Sequence, residues 1–233
     1  MNTIVVKLLA QLSDGRFHSG ERIAHNLGVS RTTVWELVRN LESMGLTIFS
    51  SRGHGYCLAE PVDMLDRIKL KDLLPKNYFY PVEIIDCLES TNTTLMLMAD
   101  KAECGTAVVA EIQTAGRGRL GRTWLAAPGL SLTFSMLWRF EAGVLALEGL
   151  SLVVGLACVT ALRKLGYDDI WLKWPNDLLY GEKKVGGILI ETQGDVHGPI
   201  HTVIGVGINI NVPVGWPKLL GREIGGLALQ GVR

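Results

Sequence analysis

Gln113-Thr-Ala-Gly-Arg-Gly-Arg-Leu-Gly-Arg-Thr-Trp124 interleaves three glycines (Gly116, Gly118, Gly121) with three arginines (Arg117, Arg119, Arg122) in one short segment. Glycine lets a backbone turn tightly and brings its N–H groups close to a ligand. Arginine offers a planar fork of donors that matches phosphate or carboxylate oxygens. The segment therefore reads as an anion cradle, with Trp124 at its end presenting a flat apolar face to a ring. The plainer alternative is a mobile basic surface loop. No G-x-x-x-x-G-K-[ST] occurs, and no helix-opening G-x-G-x-x-G follows a strand, so the P-loop and the dinucleotide fingerprint are both excluded.

Outward from this loop the chain alternates strand and helix signals. Residues 106–112 are a run of β-formers leading straight into it, and residues 132–138 form another strand beyond it. Residues 82–88 alternate as a strand, Ser90 is placed to N-cap a helix through about Asp100, and a long apolar helix is predicted over about 146–165. Residues 170–174, 185–191 and 203–210 complete a strand-rich end. The mixture predicts an α/β or α+β domain, a sheet covered by helices, over residues 66–233.

Residues 1–60 follow a different pattern. Ile4, Leu8 and Leu12 repeat at helical spacing and stop at Asp14-Gly15. Ser19 and Ser30 are N-cap candidates for two more helices, and Val34, Leu37, Val38 and Leu41 make a clean amphipathic stripe on the third. Two short strand-like runs around Ser50-Ser-Arg-Gly-His-Gly55 then form a wing, and the order makes a winged helix-turn-helix. Ser30, Arg31, Thr32 and Thr33 occupy the end of the third helix that enters a major groove, with Arg39 further along and Arg52 at the wing tip. The segment holds six Lys/Arg against five Asp/Glu, a weak electrostatic footprint, and winged helices also dock proteins. Trp35 lies off the apolar stripe and is expected to pack between helices. Residues 61–65 read as a linker in which proline ends the last wing strand.

Composition narrows the class. Hydrophobic residues make up 48% of 233 and charged ones 20%, with 23 bases balancing 23 acids, so the chain is globular and any nucleic-acid binding is local. Four scattered cysteines and dispersed histidines predict reduced thiols in the cytoplasm and no dedicated protein metal site. No apolar run reaches membrane-spanning length, so no membrane partner is expected.

Besides the arginine loop, three constellations can carry chemistry. Glu89-Ser-Thr-Asn92 sits at a strand-to-helix junction, where its plainest role is capping. Lys173-Trp-Pro-Asn-Asp177 ends a strand and places a lysine, an amide and a carboxylate at one rim, or is an ordinary turn. Lys183-Lys-Val-Gly-Gly-Ile-Leu-Ile-Glu191 and Gly205-Val-Gly-Ile-Asn209 put paired glycines inside strands, where a ligand or backbone comes close.

Together and in this order, the S-T-N, G-R-G-R-x-G-R, K-W-P-N-D, K-x-G-G-I-L-x-E and G-x-G-I-N matches behind a winged helix resemble the biotin protein ligases that double as biotin operon repressors. The resemblance covers about residues 3–212. It implies a class II synthetase-like α+β domain with a mixed sheet, working with ATP and Mg²⁺ on biotin. Biotinyl-5′-AMP would be intermediate and corepressor, a lysine of a biotin carboxyl carrier protein domain the acceptor, and operator DNA a partner. Carried over, Ser90, Thr91, Asn92, Gln113, Gly116, Arg117, Gly118, Arg119, Lys184, Gly205 and Gly207 would hold biotin. Arg119, Arg122, Trp124, Lys173, Asn176 and Asn209 would serve ATP and the adenylate, with Arg119, Lys184 and Lys173 acting in catalysis and Mg²⁺ carried by the phosphates. The glycine-rich loop is expected to be disordered until ligand folds it down. An adenylate-dependent homodimer is expected, with residues 188–193 at or near the pairing edge of the sheet.

Two departures qualify these expectations. Leu120 replaces a residue that is often basic in the family's loop, which predicts weaker adenylate retention. Family members continue into further helices and a small β-barrel that residues 215–233 do not resemble, so a truncated, divergent or differently partitioned member is expected. A non-catalytic regulator that senses biotin and a lipoate-type acyl ligase are the competing readings.

Overall fold

The computed structural model describes residues 2–195, 197–220 and 223–230. The N-terminal part is built from α1 (Asn2–Leu12), α2 (Gly20–Leu27), α3 (Arg31–Ser43) and the antiparallel hairpin β1 (Ile48–Ser51) and β2 (Gly55–Leu58). Both ends of α2 and the start of α3 have a local cause. Ser19 Oγ accepts the N–H of Arg22 at 3.1 Å to open α2, and Ser30 Oγ accepts that of Thr33 at 3.1 Å to open α3. Gly28 ends α2 in the left-handed conformation. Val34, Leu37, Val38 and Leu41 are buried on one face of α3 against Leu8, Leu9, Leu12 and Ile23. This core continues into Val62 and Ile112, so the helical unit packs on the domain that follows it.

That domain centres on a seven-stranded mixed sheet with the order β3-β4-β5-β9-β8-β7-β6. Its strands are β3 (Val82–Leu88), β4 (Ala107–Gln113), β5 (Ser131–Phe140), β6 (Ile170–Lys173), β7 (Asp177–Tyr180), β8 (Lys183–Gly194) and β9 (Ile200–Asn209). β3 and β4 are parallel and every other pairing is antiparallel. α5 (Thr91–Met98) buries Leu95 against Val108, Leu137 and Val203, while α6 (Leu150–Lys164) buries Val159 and Leu162 against Ile170, Leu178 and Ile188. No helix of the described residues is long and apolar enough to cross a membrane.

The structure differs from the sequence-based expectations in places. The long helix over 146–165 is divided: a 3₁₀ turn covers Val144–Leu147, and Gly149 at φ +77° breaks the path before α6 begins. A left-handed residue cannot sit inside an α-helix, and glycine adopts that conformation without penalty. α4 (Arg67–Leu73), β7 and the short α7 (Trp216–Leu220) are additional elements. α4 buries none of its residues. Trp35 is 54% exposed on the outer face of α3, not packed between helices. The stripe of four aliphatic residues already fills the space beneath α3, which turns an aromatic ring off that stripe to solvent.

The sheet has one further asymmetry. β7 covers β8 only as far as Gly187, and the Ile188 N–H still reaches Asn176 O at 3.0 Å. Beyond Ile188, β8 pairs with β9 alone among the described residues, leaving an open edge through Gly194.

Candidate ligand-binding cleft

The segment expected to be a disordered flap is a tight hairpin in the structure. Trp124 N donates to Gly116 O at 2.9 Å and Gly118 N to Arg122 O at 2.7 Å, with Leu120 at the tip at φ +56°. A left-handed leucine costs about 1–2 kcal/mol, so other contacts hold the turn. Arg117 Nη2 donates to Glu191 Oε2 at 2.7 Å and Arg119 Nη1 to Asn176 Oδ1 at 3.0 Å. Glycines permit the bend, and these two arginines pin it.

Beneath the hairpin lies a cavity of about 250 Å³ where β4, β9 and β8 meet the N-terminus of α5. That volume suits a small molecule more than a macromolecule. The hairpin contributes Arg117, Gly118, Arg119, Arg122 and Trp124 to its walls, β7 and the turn before it Asn176 and Asp177, and β8 Lys184. Lys184 Nζ is paired with the carboxylate of Asp177, the sole acidic side chain among the described residues lining the cavity. With Arg117 paired to Glu191 and Lys184 to Asp177, Arg119 and Arg122 leave the cleft with a net positive charge, which favours an anionic ligand.

One wall is a buried chain of polar groups. Gln113 Oε1 accepts from Thr91 N at 2.8 Å and Thr91 Oγ1 at 3.1 Å, so glutamine takes the capping role expected of Ser90. The Ser90 side chain makes no cap bond, leaving it to line the cavity. Ser135 Oγ lies 2.6 Å from Thr91 Oγ1 and 2.5 Å from Asn92 Oδ1. Asn92 Nδ2 donates to Glu191 Oε2 at 2.8 Å. Thr91, Asn92 and Ser135 are each under 5% exposed, so their geometry is fixed by these bonds.

The floor explains the paired glycines. A Cβ on Gly205 would collide with Asn92 Oδ1, and one on Gly207 would meet the Trp124 ring, with Cζ2 at 2.6 Å and Nε1 at 2.7 Å. The strand must lack side chains there for the amide and the indole to lie on it. Trp124 Nε1 is buried without a hydrogen-bond partner among the described residues.

The structure does not bring every expected residue into the cavity. Lys173 is exposed at the end of β6, the outermost strand and two positions from β8, while the turn after it carries Asn176 back inward. Asn209 is buried and donates to Gly225 O at 3.2 Å, facing a smaller neighbouring cavity that it shares with Trp124 and Lys184. Gly116 is covered by the Trp124 backbone. Ser135 was not singled out from the sequence, and Glu191, quoted there as the last residue of the K-x-G-G-I-L-x-E match, had no role assigned to it. Ser131, Thr133 and Ser135 repeat with period two on one face of β5, a polar stripe inside a strand that could have revealed the wall.

On the N-terminal unit, Arg31, Thr32 and Arg39 are exposed along α3 and Arg52 is exposed on the wing. The hydroxyls of Ser30 and Thr33 lie 3.0 Å apart within the cap, which commits them locally. Arg39 pairs with Glu42 at 3.1 Å and sits 5.9 Å from the Trp35 ring centre, and Arg31 lies 3.4 Å from Glu21.

Comparison with known proteins bears on both regions. The family model described as biotin/lipoate A/B protein ligase matches residues 84–209, and one described as an HTH domain matches residues 6–57. The bifunctional ligase/repressor BirA of Escherichia coli strain K12 is 41% identical over 209 residues, covering 90% of this chain and 64% of that protein. Its namesake in Bacillus subtilis strain 168 is 32% identical over 213 residues, covering 89% and 64%. A crystal structure of biotin protein ligase from Leishmania major in complex with biotinyl-5-AMP aligns with a TM-score of 0.54 at 33% identity, covering 64% of each chain. The chain thus spans just under two thirds of the length of the curated relatives it matches.

Proposed function

This chain belongs to the biotin/lipoate A/B protein ligase family, and on that premise we propose that its cleft joins biotin to ATP and passes the biotinyl group to a lysine of a carboxyl carrier protein. The observation that carries the reading is the convergence of the arginine hairpin and Lys184 over a glycine floor walled by Thr91, Asn92 and Gln113. In the first step a biotin carboxylate oxygen attacks the α-phosphorus of ATP, forming biotinyl-5′-AMP and releasing pyrophosphate with its Mg²⁺. Carboxylate and triphosphate repel each other, so the barrier falls when fixed cations hold them in line and donors meet the growing phosphoryl charge. Arg119, Arg122 and Lys184 are those groups, with Asn176 orienting Arg119. The polar wall takes the biotin head, and Trp124 supports the adenine side. Nothing in this step needs a general base. In the second step the carrier amine attacks the mixed anhydride carbonyl and AMP leaves.

The N-terminal unit adds operator recognition. Arg31, Thr32, Arg39 and Arg52 form its contact face, and two copies joined along the open edge of β8, Leu189 to Gly194, present two recognition helices to a palindromic site. Biotinyl-5′-AMP is the corepressor, acting through the hairpin that β8 supports.

Biotin-dependent exchange of pyrophosphate into ATP by the purified chain tests the chemistry, with exchange expected and strictly biotin-dependent. Biotin binding without exchange would leave a sensor and remove the ligase, and exchange driven by lipoate would replace the substrate. Sedimentation with and without biotinyl-5′-AMP tests the dimer, which is expected only with ligand.

A further inference from the structure

We propose that Trp35 is a specificity-determining residue of the DNA-contact face, its indole covering the C5-methyl group of a thymine in the major groove. The assignment rests on the operator recognition proposed above and adds which base is read there and by what.

α3 carries two stripes at the same spacing. Val34, Leu37, Val38 and Leu41 fall at i, i+3, i+4 and i+7, and each is at most 3% exposed. Thr32, Trp35, Glu36 and Arg39 repeat that spacing two residues earlier, and all four are exposed. Two residues turn an α-helix by about 200°, so the second stripe points away from the core. Trp35 stands in its middle, within the N-terminal half that reaches base edges when such a helix enters a major groove. A single exposed apolar side chain is ordinary on a protein surface, but this ring lies on the face that the groove would receive.

Its neighbours decide what it can meet. An indole has no charge to offer a phosphate, and Glu36 beside it repels one, so this part of the stripe belongs against base edges. Among the four bases only thymine presents an apolar group in the major groove, its methyl. The Arg39 guanidinium lies 5.9 Å from the Trp35 ring centre and donates to Glu42 at 3.1 Å. Ring and carboxylate together hold that fork beside the methyl site, where it can read guanine. Four residues of helix rise about 6 Å, close to two base-pair steps of about 3.4 Å, which places the guanine about two base pairs from the thymine. Residues 1–60 hold six Lys/Arg against five Asp/Glu, so phosphate attraction is weak and base contacts carry more of the affinity.

Selection of random duplexes by the full chain with biotinyl-5′-AMP, followed by thymine-to-uracil replacement along the enriched site, tests the assignment. Uracil pairs as thymine does and lacks only the methyl. The wild-type site is expected to hold a thymine in each half-site whose replacement weakens binding about four-fold, the worth of one buried methyl group. Trp35→Ala should bind the thymine and uracil duplexes equally and cease to enrich thymine there. Its affinity for unrelated duplex should not change, because the indole touches no phosphate. Trp35→Phe should keep the preference, and Trp35→Gln takes the place of the alanine variant if that one is unfolded. Uracil tolerated at every position by the wild type, or the same uracil penalty in Trp35→Ala, would overturn the assignment while operator binding stands. Failure of the wild-type chain to enrich any sequence would remove the operator reading itself, and this assignment with it.

Discussion

Gly207→Ala tests the glycine floor with a single carbon. The added Cβ would stand 2.6 Å from Trp124 Cζ2 and 2.7 Å from Nε1, whereas ordinary contact begins at about 3.4 Å. The indole must therefore retreat by roughly an ångström, and misplacement on that scale costs about 100-fold in a reaction that depends on alignment. The ring cannot yield by sinking, because Gly187 and β8 lie under its far edge with Cζ3 3.5 Å from the Gly187 Cβ position. It moves toward the cavity and narrows the space for ligand. Biotin-dependent ATP–pyrophosphate exchange should fall by about 10- to 100-fold in kcat/KM. Gly215→Ala is the matched control, since its Cβ meets nothing within 4 Å. Exchange within two-fold of wild type in a folded Gly207→Ala protein would refute the reasoning, because the ring would then have no part in shaping the site.

Two further perturbations address the rest of the molecule. Ser30→Ala removes the acceptor for Thr33 N at the start of α3 and should lower the stability of the N-terminal unit by about 1 kcal/mol, seen as a lower melting midpoint. Arg31→Ala should instead leave the midpoint in place and reduce the salt slope of DNA binding by about one. Glu111 is buried and accepts the N–H groups of Leu65 and Gly129 at 2.8 and 2.9 Å. Burial, with Asp86 adding to it, raises its carboxyl above the ordinary 4.5 against the pull of those two bonds. The folded state then binds the proton more tightly than the unfolded chain, so stability from this group is greatest below pH 4.5 and declines as pH rises through the folded value. Glu111→Gln cannot titrate, and its melting temperature should change less with pH above 4.5 than that of wild type. Parallel curves for the two proteins would show that Glu111 does not titrate in that window.

Local physics was enough for α2 and α3, but not for α4, α7 or the break before α6. Ser19, Ser30 and Gly28 cap and stop α2 and α3 by bonds within three or four residues, and the stripe from Val34 to Leu41 is a property of one helix. Gly205 and Gly207 could be singled out because bare backbone inside a strand marks a close approach, whereas Lys184 was placed at the site by the family resemblance. What depended on the fold was which of these groups meet. Glu191 and Asn92 are 99 residues apart in the chain and share a hydrogen bond because β8, β9 and β5 lie side by side. Lys173, quoted in the same motif as Asn176, stands on the outer strand and misses the cavity that its neighbour lines. Trp35 could not be placed from periodicity alone, since its exposure depends on whether the space under α3 is already filled. Strand order and side-chain partnership are long-range quantities, set by packing the sheet as a whole, and no window of sequence contains them.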